Sequence, residues 1–161
     1  MKVIKTIGWI VLVILVLIQF IHPAKNIHEG PEPYHITSAY PATAAVTDIL
    51  QKACYDCHSN NTHYPWYNKI QPVAWWLNSH VREGMRKLNF SEFASYPLAK
   101  QAKKLKGTVK LVKEGSMPLD SYLWIHKDAD LTDGQRDTVI QWANNLQQTI
   151  LKAGPGLTDK N

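Results

Sequence analysis

The hydrophobic pattern of the chain begins with a long apolar stretch near the N-terminus. No charged residue lies between Lys5 and Lys25, and residues 7–21 are almost wholly apolar. A helix over residues 7–21 would be about 22 Å long, against roughly 30 Å for the hydrocarbon core of a bilayer. Apolar residues before Lys5 extend the run, and the lysine amine can reach the interface. Residues 1–21 are therefore predicted to form a transmembrane anchor.

A cleaved signal peptide is the alternative prediction for this segment. Its charged start and apolar centre fit a signal peptide, but residues 20–23 lack the small-residue pattern of a cleavage site. In both cases the rest of the chain is exported. Lys2 and Lys5 are then expected on the cytoplasmic side.

Residues 22–41 interrupt the hydrophobic pattern with four prolines and Gly30. This composition favours an extended, semi-rigid spacer, which we expect to lift the following domain off a bilayer. Three histidines also lie in the segment. Because they share no helical face, we interpret them as solvated residues of a linker.

Helical periodicity dominates the rest of the chain. Apolar residues recur at intervals of three and four over residues 42–53, 72–88 and 98–112, and a last helix begins with a T-x-x-Q capping box at residue 132. No alternating pattern predicts a β-strand. The sequence thus predicts an all-α domain over residues 42–153, with a short polar tail at 154–161. The predicted inner stripe of the 72–88 helix consists of Val73, Trp76, Leu77, His80, Val81, Gly84 and Leu88.

Composition and charge then narrow the classes of function. Of 161 residues, 45% are apolar, and 18 Lys+Arg against 13 Asp+Glu give a net charge of +5. This mild excess lacks the Arg-rich stripes of nucleic-acid binders, so we expect no nucleic-acid partner. Two cysteines are too few for a disulfide scaffold. The sequence contains no Gly-rich phosphate loop, nucleophile elbow or HExxH zinc motif.

The residues with the clearest chemical signature are Cys54-Tyr55-Asp56-Cys57-His58, a C-x-x-C-H motif. Two thiols at this spacing can form thioethers to the two vinyl groups of one haem, and the histidine that follows can ligate the iron. The motif therefore predicts one covalent haem c at Cys54 and Cys57, with His58 as the proximal iron ligand. Covalent attachment of this kind occurs outside the cytoplasm, in agreement with the predicted export.

Three other interpretations of the cysteine pair are weaker. A thioredoxin-like redox pair needs a βαβ context, whereas the surrounding pattern is helical. A zinc site would need two further ligands among His58, His63 and His80, and no second close pair of ligands completes it. A pair of thiols without a cofactor would be exposed to oxidation in an exported protein.

Beyond the motif, the sequence resembles the bacterial haem-binding domain family of small exported c-type proteins. The resemblance covers about residues 45–150 and is carried by segments 54–61, 64–67, 72–76, 88–93 and 117–122. It implies a covalent haem and electron transfer. The helical pattern itself predicts a fold similar to that of cytochrome c. With the predicted N-terminal anchor, we expect a single-pass protein of the bacterial inner membrane, with its domain on the periplasmic side.

Two residues are candidates for the sixth iron ligand. Met117 stands before Pro118 in a loop after a predicted helix, and its thioether is a soft ligand that raises the reduction potential. His80 lies on the predicted buried stripe and would give bis-histidine ligation with a lower potential. We predict Met117, with His80 as the alternative. Aromatic residues at 64, 66, 67, 75 and 76 are expected either to wall the porphyrin or to pack in the core.

The leading prediction is a membrane-tethered electron carrier rather than an enzyme. The alternative is a peroxidase-like or gas-sensing haem protein with an open distal position, for which His63 or His80 with Arg82 would supply acid–base groups. A third possibility is an interaction module with a structural haem. Six lysines between residues 99 and 113, without any acidic residue, form either a solvated face or a docking surface for an acidic redox partner or anionic lipid.

Overall fold

The computed structural model describes residues 2–154 of the chain. Within this range the secondary structure is helical and contains no β-strand, which confirms the all-α prediction. The α-helices are α1 (Lys2–Ile18), α2 (Ile36–Ala39), α3 (Ala44–Ala53), α4 (Tyr55–His58), α5 (Val73–Lys87), α6 (Leu98–Lys113), α7 (Asp120–Leu123) and α8 (Asp133–Ala153). Short 3-10 helices occupy Trp66–Lys69, Phe93–Ser95 and Lys127–Ala129.

The main core lies where α6 packs along α8 and α3 joins them. Each helix turns an apolar stripe with intervals of three and four toward this core, as the sequence predicts. Burial of such stripes contributes about 25 cal/mol for each Å² of apolar surface removed from water. The buried members of this core are Ile36, Val46, Leu50, Phe90, Phe93, Ala102, Leu105, Ala143, Leu146 and Ile150.

Local signals fix the ends of these helices. The hydroxyl of Thr43 accepts a hydrogen bond from the Val46 amide at the start of α3. At the start of α8, Thr132 and Gln135 form the predicted capping box. Gly115 follows α6 with a φ of +69°, a left-handed conformation that favours glycine. Apart from Gly154, the predicted polar tail lies outside the described residues.

The N-terminal apolar stretch forms α1, but this helix ends at Ile18 rather than continuing to residue 21. The chain turns there because the Gln19 side chain donates to Leu15 O and to Gln71 O, and its own oxygen accepts from Gln71 N. Among the helices within residues 2–154, none is long and apolar enough to cross a membrane. The predicted transmembrane helix is therefore not supported by the structure.

The Pro-rich segment, expected to be an extended spacer, instead lies against the helical domain. The Asn26 side chain donates to Ser59 O and Thr62 Oγ1, at 2.8 and 3.0 Å. Ile36 is fully buried in the main core, and its amide donates to Phe90 O at 2.8 Å. Proline removes only its own N–H donor, so the neighbouring residues can still pack and form hydrogen bonds.

Helix α5 presents a different face to the interior from the predicted one. Its buried residues are Ala74, Leu77 and Val81, whereas Val73 and Trp76 are 37% and 45% exposed. The inner face is set by Tyr67, which forms a small second cluster with Leu77 and Val81. The predicted stripe is thus rotated by about one residue, and a small residue, alanine, occupies the buried first turn.

Candidate functional site

The C-x-x-C-H motif forms a single helical turn directly after α3. Helix α3 ends at Ala53, and the Cys54 amide still donates to Leu50 O at 3.0 Å. The backbone changes direction at Cys54, after which α4 contains Cys57 and His58. Because the turn is closed by a 3.0 Å bond from His58 N to Cys54 O, both sulfurs and the imidazole occupy neighbouring positions on one short element.

Both cysteines and His58 line a cavity of about 640 Å³, which is within the size range of cofactor sites. Its walls are mostly apolar and come from α5, α6, the loop that follows α6, and α8. The apolar lining residues are Ala53, Leu88, Phe90, Leu111, Val112, Met117, Pro118, Leu119, Leu131 and Val139, together with Gly84 and Gly107. A mostly apolar cavity of this size, lined also by two thiols and an imidazole, fits a largely apolar macrocycle.

The orientation of His58 is fixed by two backbone carbonyls of α5. Its Nδ1 lies 3.0 Å from both Gly84 O and Leu88 O. Since a carbonyl oxygen can only accept, Nδ1 carries the proton and Nε2 is the nitrogen with a free lone pair. This is the arrangement in which a histidine ligates a metal while its other nitrogen donates to a backbone carbonyl.

A close approach between helices makes these contacts possible. At Gly84, a Cβ atom would lie 3.0 Å from both the carbonyl carbon and the Cβ of Cys57, and closer still to its carbonyl oxygen. Any side chain at this position of α5 would push the motif away. Gly84 therefore allows α5 to reach the C-x-x-C-H turn and to offer its own carbonyl to His58.

Burial determines the protonation of the motif. It raises the pKa of Cys54 to about 12 and that of Cys57 to about 11. The neighbouring Cys57 adds a smaller rise to the pKa of Cys54, and Asp56 adds one to the pKa of Cys57. Both groups are thus thiols at neutral pH and are unbridged. Burial also lowers the pKa of His58, which favours the neutral imidazole. Raised thiol pKa values are the reverse of an activated thioredoxin-like pair.

The described residues also provide no ligand set for zinc. Across residues 2–154, no group of three or more His, Cys, Asp or Glu side chains is placed to hold a metal ion. His63, one of the three histidines considered for such a site, does not line the cavity. Its backbone amide instead donates to Asp56 Oδ1 at 3.0 Å.

Asp56 and Tyr122 form a polar contact that the sequence alone does not predict. The Tyr122 hydroxyl donates to Asp56 Oδ2 at 2.7 Å, and both residues line the cavity. Burial and this bond to Asp56 raise the pKa of Tyr122. Tyr122 also stacks on His126, with ring centroids 4.1 Å apart. No spacing in the sequence links positions 56 and 122, because the contact depends on how α7 returns to the motif.

Both candidates for the sixth ligand reach the cavity. Met117 is half-buried, and its amide donates to Leu111 O at 3.2 Å, which holds the loop against the end of α6. His80 also lines the cavity, with its Nδ1 donating to Trp76 O at 2.9 Å within α5. The structure therefore brings Cys54, Cys57, His58, His80 and Met117 to one cavity.

Other predicted lining residues lie elsewhere. None of the aromatic residues at 64, 66, 67, 75 and 76 lines the cavity, so the porphyrin-wall interpretation of them is wrong. Tyr64 and Tyr67 belong to the second cluster, and Trp66 is 72% exposed. The aromatic lining residues are Phe90 and Tyr122. Arg82, the proposed partner in acid–base chemistry, is exposed and outside the cavity.

Comparison with known families agrees with this geometry. A family model described as a haem-binding domain matches residues 13–145 of the chain. The chain belongs to the haem-binding domain family. The matched range of this haem-binding domain contains the motif, the whole cavity lining and the Pro-rich segment that packs on the core. No curated protein and no solved structure matches the chain.

Proposed function

We propose that this haem-binding domain is an exported, c-type cytochrome-like electron carrier with one covalent haem. Cys54 and Cys57 would hold the haem through thioethers, and His58 would be the proximal iron ligand. The bound haem would supply a one-electron Fe(III)/Fe(II) couple. The observation that carries the proposal is the pair of 3.0 Å contacts from His58 Nδ1 to the carbonyls of Gly84 and Leu88, which leaves Nε2 free beside both thiols.

We propose that Met117 is the sixth iron ligand. We also propose that the site transfers electrons rather than catalysing a reaction. Support comes from the position of Met117 in the cavity and from the absence of His63 and Arg82 from its lining. A six-coordinate carrier resists carbon monoxide and cyanide, whereas a peroxidase-like or gas-sensing haem with an open position binds them. His80, which does line the cavity, is the alternative ligand.

The proposal includes export and attachment to the outer face of the bacterial inner membrane. Support comes from the apolar side chains of α1, which are exposed almost throughout, and from Lys2 and Lys5 at its start. The segment that follows α1 is held to the domain by hydrogen bonds from the Gln71 and Trp75 side chains to Ile21 O. Fractionation followed by an alkaline carbonate wash would distinguish an inserted segment from one that lies on the surface.

The central test is expression of the full chain in a host that exports it and attaches haem to C-x-x-C-H motifs. We expect haem staining to persist on a denaturing gel and the mass to exceed that of the polypeptide by one haem. Replacing both cysteines, Cys54→Ala with Cys57→Ala, should remove the stain. The matched control is His63→Ala, a histidine near the motif but outside the cavity, which should keep it. Unmodified polypeptide from the parent would overturn the proposal.

A further inference from the structure

The rim of the cavity carries lysines from two helices. Lys87 lies at the end of α5, and Lys103 and Lys104 lie side by side on α6; all three line the cavity. The Lys104 ammonium donates a short hydrogen bond to the backbone carbonyl of Lys87. An ammonium has three donors, so this bond positions the group at the rim and leaves two donors for another acceptor.

The positive charge at this rim is poorly balanced by the protein. Within residues 2–154, no carboxylate pairs with Lys103 or Lys104, and the nearby Glu83 is shared between Arg86 at 2.7 Å and Lys87 at 3.6 Å. Burial lowers the pKa of Lys104, and repulsion from Lys100, Lys87 and Lys103 lowers it further. Like charges held together at the edge of an apolar chamber are stabilised when an anion binds there.

Haem carries two propionate carboxylates, on a different edge of the macrocycle from its vinyl groups. The thioether positions belong to the turn after α3, whereas the lysines belong to the end of α5 and to α6. We propose that Lys103 and Lys104 bind the haem propionates, with the carbonyl of Lys87 positioning Lys104. This inference rests on the proposed covalent haem and assigns to two lysines of α6 a role in holding the cofactor.

The remaining lysines of α6 provide matched controls. Lys110 and Lys113 are exposed and do not line the cavity, although they are carried by the same helix. A cation beside the propionates neutralises charge near the iron and favours Fe(II) over the more positive Fe(III). Its removal should therefore lower the midpoint potential, whereas removal of a distant, solvated lysine should have little effect.

The test uses the full-length holoprotein and compares two double variants. K103Q/K104Q should lower the equilibrium constant for reduction at least tenfold. For a one-electron couple, this lowers the midpoint potential by about 59 mV or more. K110Q/K113Q should change that constant less than twofold. The charge-preserving variant K103R/K104R should keep the parental value, which excludes a purely structural effect of the lysine side chains.

Two outcomes would overturn the inference and can be told apart from failure of the proposed function. If the parent has covalent haem but K103Q/K104Q and K110Q/K113Q have the same potential, the rim lysines do not hold the propionates. If K103R/K104R behaves like K103Q/K104Q, charge is not the cause. Failure of the proposed function would instead show in the parent, as a lack of covalent haem. Should K103Q/K104Q fail to accumulate, each single Gln variant is measured, and an unchanged potential in both contradicts the inference.

Discussion

Gly84 and Cys57 touch so closely that no side chain fits between their helices. The Cβ of Cys57 lies 3.0 Å from the place where a Cβ of residue 84 would stand. The same glycine offers its carbonyl to His58 Nδ1 at 3.0 Å. One position thus sets both the packing distance between α4 and α5 and the orientation of the His58 imidazole.

We therefore expect Gly84→Ala to lower the free energy of unfolding by about 1–3 kcal/mol, because overpacking against a backbone cannot be relieved by a rotamer change. This loss would occur although alanine is favoured over glycine in a helix by about 1 kcal/mol. Chemical denaturation followed by circular dichroism measures it. The control is Gly134→Ala in α8, where a Cβ meets nothing within 4 Å and should not destabilise the protein. Equal stability of both variants would contradict the packing argument.

Much of the fold follows from local sequence signals. The stripes of α3, α6 and α8 repeat at helical intervals, and the Thr132–Gln135 capping box marks a helix start without reference to the rest of the chain. The rotated face of α5 does not follow in this way, because Trp76 is apolar but its place is decided by tertiary packing. Composition alone likewise gives the wrong prediction for the Pro-rich segment, because the buried Ile36 and the hydrogen bonds of Asn26 hold it against the domain.

In the candidate site too, local features follow from the sequence, whereas contacts between distant elements do not. Cys54, Cys57 and His58 could be identified from spacing, since the chemistry of the motif is local. The partners of the motif could not: Gly84 acts through a close approach between helices, and Tyr122 through a hydrogen bond to Asp56. Lysines at the cavity rim and on the outer surface of α6 also look alike in sequence, and only the packing of the helix separates them.

Ile36 gives a direct measure of how firmly the Pro-rich segment belongs to the domain. Ile36→Ala should cost about 2–5 kcal/mol of stability, because it leaves a cavity in the main core. Ile27→Ala, in the same segment but 57% exposed, should stay within about 0.5 kcal/mol of the parent. Thermal or urea unfolding checks both. Near-parental stability of Ile36→Ala would restore the prediction of a detached spacer.

The partly buried His35 should make the stability of the fold depend on pH. Burial lowers its pKa below 6.5, with a smaller opposing effect of Glu32, and its Nδ1 accepts from the Thr37 amide. Because the unfolded state then binds more protons, the contribution of His35 is complete above about pH 6.5 and is lost as the pH falls through the lower, folded-state pKa. His35→Asn, which keeps a helix cap, should flatten urea-unfolding stability between pH 7 and 5.

The exposed His28 provides the control for this effect. Its ring lies at the surface, so His28→Asn should leave the slope of stability against pH as it is in the parent. The same slope in His35→Asn and in the parent would show that the acid sensitivity arises from another group.

The lysines of α6 that lie outside the cavity are expected to affect the rate of partner binding. Lys110→Gln with Lys113→Gln should slow electron exchange with a small acidic redox protein several-fold at low ionic strength and flatten the salt dependence. The absorption spectrum and potential should not change, because neither residue lines the cavity. Stopped-flow rates at several salt concentrations check this. A salt dependence identical to that of the parent would show that this face is a solvated surface and does not bind the partner.

The sixth ligand can be decided by three matched variants. Met117 and His80 line the cavity, whereas Met85 packs in the second cluster with Leu77 and Val81. If Met117 ligates the iron, the oxidised parent shows the weak red charge-transfer band of methionine ligation. Met117→Ala should abolish the band, lower the potential by more than about 59 mV and admit carbon monoxide, since a neutral thioether stabilises Fe(II).

Met85→Ala and His80→Ala should both retain the band, the first because its thioether lies outside the cavity and the second because its ring is not bound to iron. The assignment of Met117 therefore depends on the contrast among the three variants rather than on the loss of the band in one of them. Absence of the band in the parent, together with carbon monoxide binding only in His80→Ala, would reverse the assignment. Iron would then be held by two histidines, and the potential of the parent should be correspondingly low.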